Sequence, residues 1–169
     1  MEARFPYMFG GHYGGFAIGD GWHHIIESLC ANIEHHVKWH RDRRARDLRI
    51  ERARKKGLDA VIKFLCKGKE PSVWELERAD EIMETPRGEL TEYVHKVRVE
   101  QIKEKFGGLR FYYQGGNDVV SGMVTMAEAW ADKTCETCGD KGTRRGGGWV
   151  RTLCDKHEEE YQKLKKVTQ

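Results

Sequence analysis

Cys135-x-x-Cys138 is followed, after fifteen intervening residues, by Cys154-x-x-His157. Zinc takes four soft or borderline donors in a tetrahedron, and two-residue spacers let paired ligands reach one ion. Gly139 fits a knuckle, where the backbone turns tightly and amides point at thiolate sulfur. Thr143-Arg144-Arg145, a glycine run at 146–148 and Trp149-Val150-Arg151 read as a hairpin. Cys154 and His157 then open the last helix, three residues apart and so on one face. Knuckle, hairpin, then a helix carrying the second ligand pair is the layout of a treble-clef finger. The expected cofactor is one structural Zn2+ per chain, held by Cys135, Cys138, Cys154 and His157. Four protein ligands close the coordination sphere and leave no position for an activated water.

The rest of the chain needs such support. Ile, Leu, Val and Phe make up 34 of 169 residues, and charged residues 34%. Ordinary globular chains carry about 25% charge, and chains below about 20% in those four apolar types tend toward disorder. The core is thin, and a metal that couples binding to folding offsets that. No run of about 18 apolar residues exists, so no membrane span is expected. The first 21 residues lack a basic start followed by an apolar run, so a cytoplasmic location and reduced thiols are expected. Five cysteines, an odd number, also argue against a pure disulfide framework.

Residues 1–21 mix aromatics with glycines and read as an ordered loop or irregular hairpin. Trp22, Ile25, Ile26, Leu29, Ile33, Val37 and His40 then recur at helical spacing, with Asp20 as N-cap. This helix runs to Gly57. Leu58 to Leu65 marks a second helix, and Ser72 with Glu75 has capping-box spacing for a third. Thr85-Pro86-Arg87-Gly88 is a turn. Ile102 to Tyr113 forms a hairpin about Gly107-Gly108, pairing Phe106 with Leu109, Glu104 with Phe111 and Ile102 with Tyr113. One face is then Ile102, Glu104, Phe106, Leu109, Phe111 and Tyr113. Val119 to Ala131 is a fourth helix after an Asn117-Asp118 cap.

The expected class is α+β: a helical N-terminal half, a central β-hairpin plus helix, and a C-terminal treble-clef-like zinc finger. The expected division is an α+β domain over 1–133, with a helical insertion at about 40–92, and a finger module over 134–169.

Charge is uneven. Residues 38–56 carry +7 in a chain of +3. Neighbouring like charges at helical spacing repel, so this density marks a contact surface for an acidic partner, or else a solvated face. Candidate partner-binding residues are Arg43, Arg46 and Arg54 there, and Lys103, Lys105, Arg110 and Tyr112 on the hairpin. Arg144, Arg145 and Arg151 add basic surface. Lys and Arg neutralise phosphates, and Tyr112 and Trp149 can stack on bases.

Other features read as structural. His36 and His40 are polar residues where an apolar stripe becomes a basic face. Cys30 and Cys66 are buried thiols. Glu104 sits at the hairpin edge reaching solvent, or pairs with Arg98 or Arg110. The glycine-rich N-terminus holds no phosphate-binding motif. No catalytic residue is identified. An HNH-like nuclease needs a central histidine, and none stands between Cys138 and Cys154.

Gly19-Asp20-Gly21-Trp22, the string Gln101 to Tyr112, Cys135-Glu136-x-Cys138-Gly139, Gly148-Trp149 and Thr152-Leu153-Cys154-Asp155-x-His157 together resemble a family of short uncharacterised proteins of tailed phages and bacteria. The resemblance covers the first helix and residues 99–157. It implies an accessory protein for host takeover or evasion of defence. The expected function is therefore non-enzymatic binding of a host protein or a signalling nucleotide, with homo-oligomerisation open. The alternatives are a DNA- or RNA-binding zinc-finger protein and, behind it, an HNH-like nuclease or other hydrolase.

Overall fold

The computed structural model describes residues 1–11, 14–86, 88–146 and 149–167, the last without its side chain. Tyr13, Arg87 of the expected 85–88 turn, and Gly147 and Gly148 of the glycine run lie outside the described residues. The chain divides into two compact units, Met1–Val37 with Val94–Gln169, and Lys38–Tyr93. The class is α+β. The finger at 134–169 belongs to the first unit.

In the first unit, α1 (Pro6–Phe9) and β1 (Phe16–Ala17) occupy the N-terminal segment, which is neither a plain loop nor a hairpin. Strand β1 pairs in parallel with β2 (His95–Lys105), Phe16 opposite Ile102. Strand β2 pairs antiparallel with β3 (Gly108–Gly116), so the sheet order is β1-β2-β3. Helix α2 (His23–Arg54) follows a 3-10 turn at Asp20–Trp22. Asp20 starts that turn rather than capping a helix, and no side chain caps it. The apolar stripe behaves as its spacing predicts: Trp22, Ile25, Ile26, Leu29, Ile33 and Val37 are all buried. They pack with Phe5, Phe9, Ile102, Leu109, Phe111 and the buried face of α5 (Asp118–Ala131) in one core. Fully burying each aliphatic side chain contributes about 1.5–3 kcal/mol. Asn117 caps α5 by accepting from the Val120 amide, and its Oδ1 also lies 3.1 Å from His36 Nε2. The finger adds β4 (Thr143–Arg145), β5 (Arg151–Leu153) and α6 (Asp155–Val167).

The hairpin register differs from the expected one. Glu104 pairs with Leu109 and Ile102 with Phe111, so Phe106 and Gly107 form the turn. Both have positive φ, 52° and 75°. That pair of left-handed residues gives the primed turn whose twist matches the strands. Gly108 pairs with Lys105 and so belongs to the strand, and a Cβ there would lie 3.1 Å from side-chain atoms of Asp132, Arg110 and Arg144. Ile102, Leu109 and Phe111 keep their common buried face, but Phe106 leaves it and is 72% exposed.

In the second unit, the basic end of α2 is followed by α3 (Leu58–Cys66) and α4 (Val73–Glu84). The Ser72–Glu75 capping box is formed. The core is small: Ala53, Val61 and Ala79 are buried, with Ile62, Phe64, Leu65 and Ile82 against them. Polar contacts supply the rest. Arg41 donates to the Tyr93 hydroxyl at 2.8 Å and Arg44 to the Thr91 carbonyl at 2.7 Å. Asp47 accepts from the Thr91 amide at 3.0 Å and from its hydroxyl at 2.5 Å. Arg54 donates to the Thr85 carbonyl at 2.8 Å. Arg41, Arg44 and Arg54 thus hold Tyr93, Thr91 and Thr85, a structural reason for part of the charge that the sequence does not show.

Candidate functional site

Sγ of Cys135, Cys138 and Cys154 and a ring nitrogen of His157 all lie within 4.8 Å of one another. Cys138 Sγ is 3.8 Å from Cys154 Sγ, and His157 Nδ1 is 3.5 Å from Cys135 Sγ and 3.2 Å from Cys154 Sγ. A tetrahedron with metal–sulfur bonds of about 2.3 Å and metal–nitrogen bonds of about 2.0 Å has edges of about 3.8 and 3.5 Å. The four side chains can therefore hold a metal ion, and the donor set and edge lengths fit zinc.

Local backbone builds this geometry. Gly139 adopts φ 85° and its amide donates to the Cys135 carbonyl at 2.9 Å, closing the knuckle. Burial pushes the Cys135 thiol up, but amides of Cys154, Cys138 and Thr137 donate to its sulfur and bring it down to about 6. The Asp140 amide favours the Cys138 thiolate, yet lost hydration and the neighbouring Cys135, Asp140 and Cys154 side chains push that thiol up to about 12. A cation held among these sulfurs would favour the thiolate form of each. Glu160 Oε2 stands 3.8 Å from His157 Nε2, beyond hydrogen-bond distance.

The knuckle is stitched into the core of its unit. Trp22 is fully buried and donates its indole N–H to the Thr134 carbonyl at 2.8 Å. The Gly21 amide donates to the Glu136 carbonyl at 2.9 Å. A Cβ on Gly21 would clash with the Cys135 carbonyl oxygen and the Gly139 amide. That close approach is the physical reason for glycine before Trp22. Thr152 donates its hydroxyl to the Gly107 carbonyl at 2.6 Å, joining β5 to the hairpin turn. The Glu136 amide donates to the Thr152 carbonyl at 2.9 Å.

Beside the knuckle lies an open cleft of about 570 Å³, lined by Phe16, Glu104, Glu136, Trp149, Arg151 and Tyr161 among others. Glu104 was expected at an edge or against Arg98 or Arg110. Its Oε1 instead accepts from the Gly107 amide at 2.6 Å, and the side chain lines this cleft. Nothing in the sequence singles out Glu136 except its place in the Cys135-x-x-Cys138 spacer.

The expected partner-binding residues divide between the units, Arg43, Arg46 and Arg54 in the second and Lys103, Lys105, Arg110 and Tyr112 in the first. Arg43 and Arg46 are exposed, Arg43 above the Trp39 ring. Arg54 is half-buried and bonded to Glu51 and Thr85. Lys103 lies over Tyr112 and Lys105 over Phe106 on the hairpin. Arg110 donates to its neighbour's carbonyl and stands 3.9 Å from Glu128. Arg144, Arg145 and Arg151 are paired with Asp132, Asp155 and Glu136. Cys30 is buried, and burial pushes its thiol up to about 12, which makes it a poor nucleophile. His36 and His40 join no metal-type cluster among the described residues. No helix is long and apolar enough to cross a membrane among the described residues. No family model, curated protein or solved structure matches the chain.

Proposed function

We propose that this chain is a non-enzymatic binding protein whose fold is locked by one structural zinc. The observation that carries this reading is the Cys135, Cys138, Cys154, His157 cluster: four protein donors at tetrahedral spacing. They fill the coordination sphere of zinc and leave no site for substrate or activated water. The ties from Trp22, Gly21 and Thr152 give the metal a structural task, since ligand geometry and core packing then depend on each other. The setting follows the resemblance: an accessory protein of a phage or bacterium that engages a host component in the cytoplasm.

A protein partner is favoured over nucleic acid. The three finger arginines that would contact phosphate are each paired with a carboxylate. The exposed lysine–aromatic pairs on the hairpin remain available to either.

Metal analysis and binding measurements test the reading. The purified protein carries one zinc per chain, and Cys138→Ser loses it. A loss of about 3 kcal/mol or more lowers Tm of a chain this size by roughly 6–12 °C. Full metal retention in that variant would overturn the ligand set. Binding to the host component persists between about 50 and 200 mM salt, whereas nucleic-acid binding falls by about 10³–10⁵ over that range.

A further inference from the structure

Every third residue of α2 from Arg43 onward is basic: Arg43, Arg46, Arg49 and Arg52, with Lys55 one residue past the helix end. All five are exposed. The neighbouring series, Arg41, Arg44, Asp47, Ile50 and Ala53, is half-buried or buried at every position. Residues three apart form a ridge on a helix surface, so one ridge of α2 is given to packing and another wholly to cations. The outward ridge runs about 18 Å, at about 1.5 Å rise per residue. Arg46, Arg49, Arg52 and Lys55 make no hydrogen bond or ion pair among the described residues, and Arg43 lies over the Trp39 ring. The carboxylates of the same stretch do not neutralise them: Asp47 bonds to Thr91 and Glu51 to Arg54, and the exposed Asp42 makes no ion pair among the described residues. The helix dipole favours cations in the last turn, which accounts for Arg52 and Lys55 but not for Arg43, Arg46 and Arg49.

The same unit carries the opposite charge on α4. Residues 57–93 hold five basic and nine acidic side chains, against the +7 of residues 38–56. Val73, Glu77, Asp80 and Glu84 recur at steps of four, three and four, hence on one face of α4. All four are exposed, and the three carboxylates make no hydrogen bond or ion pair among the described residues. Trp74 is 63% exposed, and Leu76 and Met83 are exposed as well, so apolar side chains rim the carboxylates. The other side of α4, Ala79 with Ile82, packs with Ala53 and Val61. The inward sides of both helices share that small core, and the ion pairs of α2 and of α4 each stay within their own helix among the described residues.

A carboxylate face rimmed by apolar groups and a ridge of unpaired cations are complementary. Both lie on one unit, so a two-fold axis between two copies satisfies both contacts at once. We propose that two copies of this chain associate through their second units, the acidic face of α4 in each seated on the basic ridge of α2 in the other. Exposed ion pairs add little affinity, so Val73 and Trp74 supply the apolar burial while the charges set orientation and encounter rate. Nucleic acid is the poorer occupant of the ridge: residues 40–56 contain no Phe, Tyr or Trp to stack on bases, and the carboxylates of α4 repel a polyanion. The second unit holds none of the four side chains of the metal cluster, so the inference goes beyond the zinc reading and does not depend on it.

Sedimentation equilibrium of the full, metal-loaded chain tests this. At about 50 mM salt the parent forms a dimer with Kd of about 100 μM or tighter, and about 500 mM salt weakens it at least fivefold. One triple variant, Arg46→Glu, Arg49→Glu and Arg52→Glu, reverses the middle of the ridge. The other, Glu77→Lys, Asp80→Lys and Glu84→Lys, reverses the face of α4. Each weakens self-association at least tenfold. An equimolar mixture of the two regains the dimer, because one contact is then that of the parent and the other has both signs exchanged. All six positions are exposed, and circular dichroism checks that the variants stay folded. Trp74→Ala, which moves no charge, weakens the dimer at least threefold and serves if a triple variant does not fold. A parent that stays monomeric up to about 200 μM, triple variants that associate as the parent does, or a mixture that stays monomeric overturns the proposal. Retention of a duplex oligonucleotide or a polyglutamate peptide by a monomeric parent assigns the ridge to another acidic partner and likewise overturns it.

Discussion

Trp22 and Thr134 lie 112 residues apart in the chain, yet the indole N–H of one donates to the backbone carbonyl of the other at 2.8 Å inside the core. This bond fastens the entrance of α2 to the residue just before Cys135, the first of the four side chains that can hold a metal ion. Trp22→Phe keeps most of the ring but removes the donor. A stability loss of about 2–4 kcal/mol is expected, from an unsatisfied buried carbonyl and a small void. Urea melts of zinc-loaded protein measure it, and a change under about 1 kcal/mol would show that the bond contributes little.

The hairpin register sets up a contrast between two phenylalanines. Phe111 is 4% exposed and Phe106 is 72% exposed with φ 52°. Phe111→Ala costs about 3–5 kcal/mol. Phe106→Asn stabilises the protein by about 0.5–1 kcal/mol, because Asn-Gly suits a primed turn and tolerates left-handed φ. If Phe106→Asn were as damaging as Phe111→Ala, Phe106 would belong on the core face.

Asp47 reports on the second unit. Partial burial raises its carboxyl, but the Thr91 hydroxyl and amide, then Arg43 and Arg46, outweigh that and hold it below its ordinary 3.8. The folded value is thus below the unfolded one. The stabilisation is fully present above the unfolded value and is lost as pH falls through the lower folded value. The Thr91 amide resonance titrates with a midpoint below 3.8, and Asp47→Asn abolishes that titration. A midpoint at or above 3.8 contradicts the assignment.

The arginines at the end of α2 divide into two kinds. Arg54→Ala loses bonds to Glu51 and the Thr85 carbonyl and costs about 1–2 kcal/mol. Arg49→Ala, at an exposed position, changes stability by less than about 0.5 kcal/mol. Chemical denaturation of the two variants side by side compares them. Equal effects would mean that the charge density has no structural share.

Much of this protein is legible in its sequence where the governing interactions are local. The stripe from Trp22 to Val37, the Ser72–Glu75 capping box and the two pairs Cys135-x-x-Cys138 and Cys154-x-x-His157 each depend on steps of three or four residues, and each is present in the fold. The hairpin turn was off by one residue at Phe106. Two adjacent glycines satisfy turn chemistry equally well, and the observed register places Gly108 beside Asp132 and Arg144, distant residues that no local pattern contains. Strand β1 is a two-residue segment that exists because β2 offers it a parallel edge, and two residues carry no periodicity. The cleft joins Phe16, Glu104, Glu136, Trp149 and Tyr161 from five separate stretches of chain. Helix and knuckle follow from short-range geometry and propensity. Which carboxylate is buried is decided only when distant segments pack together.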